Sequence, residues 1–262
     1  MSISFVIKNM LEINKTYNEN CLSTMAKMSD QFIDLTVTSP PYDNLRTYNG
    51  YSFDFENISK ELFRVTKNAG IVVWIVNDQT INGGKSGNSF RQVLHFQDIG
   101  FLIHDVMIWQ KICPFQHKNR YIQAFEYMFV LSKGRRKIAN LICDRKNKWA
   151  GTQIHGTERQ VNGEIKNLST VQKSKKVKEF GSRFNIWDIP PEKNNKTGHP
   201  AVFSERIAGD HIITWTNSGD LVYDPFMGSG TTAKMCVLLK RNYIGSEISK
   251  EYCDIIEERI SK

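Results

Sequence analysis

No apolar run in the 262-residue chain approaches the roughly 18–20 residues that a membrane span needs. The longest, residues 71–76, has the length of a buried strand. The N-terminus lacks a basic region followed by an apolar stretch, so nothing there reads as a secretion signal. The five cysteines (Cys21, Cys113, Cys143, Cys236, Cys253) are odd in number and form no CxxC pair. That argues against a disulfide framework and against a zinc site. No metal is expected, and a reducing cytoplasm is the expected compartment. No low-complexity tract dominates, and 40% hydrophobic with 24% charged residues excludes a chain disordered throughout. At this length the expectation is one large domain, or one domain with a smaller insert.

Acidic residues are the minority: 27 Asp and Glu stand against 35 Lys and Arg, a net charge of +8. The excess is localised. Residues 133–183 hold 14 basic and 4 acidic side chains, a net of +10, and the remainder carries a net of −2. The basic clusters are Lys133 with Arg135, Arg136 and Lys137; Arg145, Lys146 and Lys148; and Lys173, Lys175, Lys176 and Lys178, punctuated by Trp149 and Phe180. The stretch lacks long apolar runs and is rich in Asn, Gln, Thr, Ser and Gly, so it reads as an exposed, partly irregular insert. A phosphate backbone is one natural partner, because each neutralised phosphate releases a counterion. A solvated basic loop is the other reading.

Outside this stretch, strand and helix patterns alternate. Residues 32–38, 71–77, 102–109, 127–132, 220–223 and 243–247 read as strands. Residues 56–67, 89–98, 204–216, 231–239 and 250–260 read as helices. Such β–α alternation predicts an α/β layered sheet.

Two turns carry chemical interest. In the first, Asp224-Pro225-Phe226-Met227-Gly228-Ser229-Gly230-Thr231-Thr232 places GxG directly after a strand and before a helix. Glycines there allow a tight turn and close approach of a ligand to the backbone, and the helix N-terminus offers unpaired N–H groups. Glu247 ends the next strand, 19 residues after Gly228. An acidic side chain there suits the ribose hydroxyls of a nucleoside. No Lys follows the second glycine, which argues against a phosphate-gripping P-loop. The second turn, Thr38-Ser39-Pro40-Pro41-Tyr42, also ends a strand. Its prolines stiffen the loop and remove two N–H donors, leaving carbonyl acceptors; Ser39 adds another acceptor and Tyr42 a flat ring. Such a cradle suits a planar heterocycle bearing an exocyclic amine. Taken singly, each turn also reads as plain structure: a tight β–α connection with a surface Glu, and a rigid turn with a core aromatic.

Together, TSPPY near one end and DPFMGSGTT near the other resemble the DNA amino-methyltransferases that use S-adenosylmethionine. The catalytic motif precedes the cofactor motif, which is similar to the β group of those enzymes. Residues 70–77 resemble the strand after the catalytic motif, and Trp109-Gln110-Lys111 and residues 125–134 the later strands flanking a target pocket. The stretch from His199 to Glu205 resembles the opening of the helix beside the cofactor's methionine end. The resemblance spans nearly the whole chain. It implies a Rossmann-like, mostly parallel sheet with one antiparallel strand. Residues 1–134 form its catalytic part, 135–182 a short basic target-recognition insert, and 183–262 its cofactor-binding part.

Implied catalytic residues are Ser39, Pro40, Pro41 and Tyr42. Implied cofactor residues are Asp224, Pro225, Phe226, Gly228, Gly230, Thr231, Glu247, His199 and Asn20. Implied DNA contacts are Arg46, Arg135, Arg136, Lys146, Lys173, Lys175, Lys176 and Lys178. Three positions depart from the family pattern. Asn20 stands where a Gly-Asp loop usually meets adenine, Ser204 replaces a second proline, and the recognition region is short, which gives the loop 43–51 a part in specificity. The resemblance implies duplex DNA as partner and no membrane, in a restriction-modification setting. It leaves room for a homodimer and for a cognate restriction endonuclease.

A 5-methylcytosine enzyme would need a cysteine just after a proline; Cys113-Pro114 runs the other way. The implied target is therefore an exocyclic nitrogen of a flipped-out base. Serine as the first residue of SPPY is associated in this family more often with cytosine N4, the expected target, and adenine N6 is the alternative. Outside this class stand an RNA or protein-glutamine methyltransferase, which the motif order and basic insert disfavour, and a non-catalytic basic DNA-binding module with a degenerate cofactor site.

Overall fold

The computed structural model describes residues 11–41, 53–111, 119–135, 139–191 and 204–261. Tyr42, the loop 43–51 with Arg46, Cys113, Arg136 and His199 lie outside the described residues. The chain divides into two units: one formed by residues 1–140 and 185–262, the other by Leu141–Phe184.

The first unit runs β1 (Lys15–Tyr17), α1 (Cys21–Ala26), β2 (Ile33–Thr38), α2 (Phe55–Val65), β3 (Thr66–Val76), a small hairpin of β4 (Thr80–Ile81) and β5 (Gly84–Lys85), α3 (Asn88–Asp98), β6 (Leu102–Gln110) and β7 (Phe125–Ser132). The second unit contributes β8 (Arg145–Lys146), β9 (Thr157–Arg159), β10 (Ile165–Asn167), α4 (Thr170–Lys173) and β11 (Phe180–Gly181). The chain then returns to the first unit through β12 (Ile186–Asp188), α5 (Glu205–Trp215), β13 (Leu221–Asp224), α6 (Thr231–Leu238), β14 (Asn242–Ser246) and α7 (Lys250–Ile260).

Eight strands form one sheet in the order β1-β14-β13-β2-β3-β7-β6-β12. Only β7 runs antiparallel to its neighbours β3 and β6; the other pairings are parallel. This is the expected sheet. Its centre is covered on both faces, as a largely parallel sheet requires. Along β3, Ile71, Val73 and Ile75 point into a core with Ile207, Ile212 and Trp215 of α5 and Ala233 and Cys236 of α6. Val72, Trp74 and Val76 point into a second core with Met25 of α1, Ile58, Leu62 and Val65 of α2, and Val93 and Phe96 of α3. The period of two across the strand and the i, i+4, i+7 spacing of Ile58, Leu62 and Val65 on α2 are therefore the same fact seen from both sides. Asp54 caps α2 by accepting the N–H of Asn57 at 3.3 Å.

β3 begins at Thr66 rather than near Gly70. Ala69 takes a φ of 62°, and the β2–β3 register shifts between Ile33 and Leu35, so an irregular first turn of strand precedes the apolar run. β1, α1 and β12 are short elements with no clear periodicity in sequence, and tertiary pairing makes them. Among the described residues no helix is long and apolar enough to cross a membrane.

The second unit has no buried residue among those described. It is held by short antiparallel pairs, β8 with β11 and β9 with β10, by a capping box between Ser169 and Gln172 at α4, and by the ion pair of Arg183 with Asp144 at 2.5 Å.

Candidate active site

β2 and β13 lie side by side and parallel, with Val222 opposite Leu35 and Tyr223 opposite Thr36. Their carboxyl ends therefore open on one edge of the sheet. From β2 the sheet grows through β3 on one side and through β13 and β14 on the other. Such a switch point leaves a crevice beyond the strand ends.

One carboxylate joins the two turns across 186 residues of sequence. Thr38 donates its hydroxyl to Asp224 Oδ1 at 2.7 Å, and Thr232 donates to Oδ2 at 2.7 Å. The Phe226 N–H donates to Oδ1 at 3.0 Å. Asp224 is buried, and burial raises its carboxyl above the ordinary range, against the hydrogen bonds of Thr232, Thr38 and Phe226. Its oxygens thus serve to bind turn to turn.

The glycine turn has the backbone its residues permit. Gly228 and Gly230 have φ of 54° and 83°. A Cβ on Gly230 would lie 2.8 Å from Ile256 Cγ1, so α7 packs directly on the missing side chain. Gly230 opens α6, whose first residues Thr231 and Thr232 are buried. Pro225 is buried and Phe226 half-buried. The Phe226 ring centroid stands 5.7 Å from that of Phe53 and 6.4 Å from that of Trp74. Arg259 of α7 donates to the Ser229 carbonyl at 2.5 Å and to Glu205 at 2.8 Å, and Lys234 of α6 donates to the same Glu205 oxygen at 2.7 Å. Burial opposes ionisation of Glu205, but the bonds and charges of Lys234 and Arg259 outweigh it and lower its pKa.

Glu247 follows β14. Its Oε2 accepts the Gly228 N–H at 2.8 Å and its Oε1 the Ser249 N–H at 2.9 Å. Burial raises its pKa, again against backbone N–H bonds. Asn18, past β1, donates to the Glu247 and Ile248 carbonyls at 2.9 and 3.0 Å. Asn20 caps α1, its Oδ1 accepting the Leu22 N–H at 2.8 Å. In the other turn Ser39 and Pro41 are half-buried and Pro40 is buried. On the neighbouring part of the sheet, Trp109 faces Glu126 across β6 and β7. Lys111 forms an ion pair with the buried Glu126 and sits 4.7 Å from the Trp109 ring centroid.

The structure thus brings Ser39, Pro40 and Pro41 to the same edge as Asp224, Pro225, Phe226, Gly228, Gly230, Thr231 and Glu247. Lys146, Lys173, Lys175, Lys176 and Lys178 belong to the unit Leu141–Phe184 and are exposed, as is Arg135. Sequence reading missed the roles of Thr38, Thr232, Asn18 and Arg259. The two threonines lie inside the motifs, but their shared partner is visible only in three dimensions. Among the described residues no group of three or more His, Cys, Asp or Glu side chains could hold a metal ion.

The profile of a DNA methylase family, that of the N6/N4 methylases, matches residues 33–258. The chain is 55% identical over 242 residues to the orphan methyltransferase M.BamHII of Bacillus amyloliquefaciens, covering 89% of this chain and 90% of that protein. It is 25% identical to the type II methyltransferase M.SmaI of Serratia marcescens, covering 89% and 86%. Among solved structures, the PvuII DNA methyltransferase (cytosine-N4-specific) superposes with a TM-score of 0.69 at 20% identity, over 95% of this chain and 87% of that one. A DNA modification methylase from Thermus thermophilus complexed with S-adenosyl-L-methionine superposes with a TM-score of 0.64 at 21% identity, over 94% and 93%.

Proposed function

Because the chain belongs to the N6/N4 DNA methylase family, we propose that it moves a methyl group from S-adenosylmethionine to the exocyclic N4 of cytosine in duplex DNA. The observation that carries this reading is the Thr38–Asp224–Thr232 tie. It keeps the acceptor-rich SPP turn and the glycine turn in register at one crevice, as transfer between two bound molecules demands.

The glycine turn suits the cofactor. The Glu247 carboxylate accepts the Gly228 and Ser249 N–H groups, and its remaining acceptor capacity suits the vicinal hydroxyls of a ribose. Phe226 and the backbone of Gly228–Gly230 would line the cofactor. Asn20 contributes through its amide nitrogen, since its oxygen caps α1. Pro225, His199, Thr231 and Asp224, which holds the turn in place, complete the proposed set. When bound, S-adenosylmethionine supplies a sulfonium-activated methyl group.

The chain's own residues prepare the acceptor. A base stacked in the duplex cannot enter the crevice, so it is flipped out. The Ser39 hydroxyl and the Pro40 carbonyl accept the protons of its exocyclic amine, whose lone pair is otherwise conjugated with the ring, and favour a pyramidal nitrogen. Pro41 holds the loop rigid and Tyr42 stacks on the ring. Preorganised acceptors and positioning supply the catalysis. The surplus proton leaves the nitrogen after transfer, so no strong base is needed. The choice of cytosine N4 over adenine N6 rests on Ser39 heading the SPPY motif.

The unit Leu141–Phe184, with flanking Arg135 and Arg136, is the proposed target-recognition element. Lys146, Lys173, Lys175, Lys176 and Lys178 are its phosphate contacts, and Arg46 joins them from the loop 43–51. A restriction-modification setting follows from the same family reading. A cognate endonuclease and a second copy of the chain are the partners to seek.

The test is to methylate mixed-sequence duplex DNA, digest it to nucleosides and identify the product by mass spectrometry. N4-methylcytosine is expected, and N6-methyladenine would overturn the choice of base. Cofactor binding with neither product would overturn DNA as substrate. In the same assay Ser39→Ala should lose turnover by at least about 100-fold, the scale of one missing preorganised acceptor, and keep cofactor affinity.

A further inference from the structure

The hairpin β9–β10 has no buried side. All six residues of its two strands are exposed, including Ile165 at 62%. A two-stranded hairpin alone is marginal in water, so this ribbon lacks the packed face that ordinarily supports one. Its turn is well made: the Gln160 N–H donates to the Glu164 carbonyl at 2.7 Å, the Gly163 N–H to the Gln160 carbonyl at 2.9 Å, and Gly163 takes the left-handed φ of 86°.

The register separates the side chains into two chemically different faces. Arg159 pairs with Ile165 and Thr157 with Asn167, and these four share one face. Glu158 pairs with Lys166 on the other. Glu164, two residues before Lys166, joins that second face, and its carboxylate lies 3.9 Å from Lys166 Nζ. One face therefore offers a guanidinium, an amide, a hydroxyl and an apolar group with no carboxylate. The other carries two carboxylates that phosphates repel. Among the described residues neither the Arg159 guanidinium nor the Asn167 amide has a hydrogen-bond or ion-pair partner.

We infer that the Thr157/Arg159/Ile165/Asn167 face of this ribbon enters the major groove of duplex DNA and reads bases, making Arg159 and Asn167 specificity-determining residues. This rests on the DNA-methylating reading above. A ribbon of two strands about 4.8 Å apart fits a groove about 12 Å wide. Arginine matches the O6 and N7 of guanine, and asparagine the N6 and N7 of adenine. Ile165 and the Thr157 methyl suit the thymine methyl group. Groove insertion also covers the apolar Ile165, which the unit itself leaves exposed.

The experiment is to methylate a library of randomised duplexes and sequence the modified sites. It compares the wild-type protein with Arg159→Ala, Asn167→Ala and, on the opposite face, Lys166→Ala, each checked for cofactor affinity. The first two should each relax preference at one position by about 5- to 150-fold, the range of one bidentate base contact, with the salt slope of binding unchanged. Lys166→Ala should leave the preference intact. Unaltered preference in both face variants overturns the proposal, as does relaxation by Lys166→Ala. A salt slope lowered by about one with unchanged preference makes Arg159 a phosphate ligand instead, which also overturns it. A wild-type protein that modifies no duplex overturns the methylation reading itself, an outcome distinct from the others.

Discussion

Asp224 shows how one buried group can organise a site. Its three donors, from Thr38, Thr232 and Phe226, do not fully offset the loss of solvation, so its pKa stands above the ordinary carboxylate value of about 4. Between the unfolded and folded values the folded chain binds more protons than the unfolded one. This group's contribution is therefore most favourable below the unfolded pKa and diminishes as pH rises through the folded one. Asp224→Asn should remove that fall. Its oxygen still accepts from Thr38 and the Phe226 N–H, and its amide can donate to Thr232, whose hydroxyl reorients. Urea midpoints measured from pH 4 to pH 8 should decline less with rising pH in the variant. Parallel profiles would show that Asp224 titrates alike in both states. The tie itself was not legible in the sequence. Asp224 reads there as one more cofactor residue, because nothing along the chain shows that Thr38 meets it.

Among the elements, the packing of α7 on the glycine turn is the most exposed to a single change. Gly230 holds a φ of 83°, and the branched Ile256 of α7 occupies the space of its missing Cβ. Gly230→Ala meets both obstacles. The left-handed backbone alone costs about 1–2 kcal/mol, and displacement of Ile256 adds to it. A drop of at least about 1 kcal/mol in unfolding free energy is expected from urea denaturation, with weakened cofactor binding by titration calorimetry. An unchanged midpoint would mean that α7 shifts freely. Periodicity identified the long elements: α2 by Ile58, Leu62 and Val65, and β3 by a run buried on both faces. It could not identify β1, of three residues, or β12, also of three. Pairing with β14 and β6 makes those strands, not an intrinsic pattern.

Across the whole molecule, charge and core are divided between different stretches of chain. The first unit holds the two buried clusters, whereas residues 133–183 carry the net +10. A unit with no buried side chain among those described gains little from packing and presents Lys173, Lys175, Lys176 and Lys178 to solvent, open to a polyanion. Lys175→Ala together with Lys176→Ala should weaken DNA binding and reduce the slope of log K against log salt by up to about 1.8, roughly 0.9 for each phosphate no longer neutralised. Equal binding at low and high salt in variant and wild type would remove this pair from the interface.

The alternation of strands and helices, the two turns and the location of the charge belong to the chain as a linear string. They are local properties, set by side-chain period, by the backbone limits of glycine and proline, and by composition. Folding alone makes the two turns neighbours, joins them through a single carboxylate, and gives the β9–β10 ribbon one face free of carboxylates. Each of these depends on strand order or cross-strand register, which bring together residues distant along the chain.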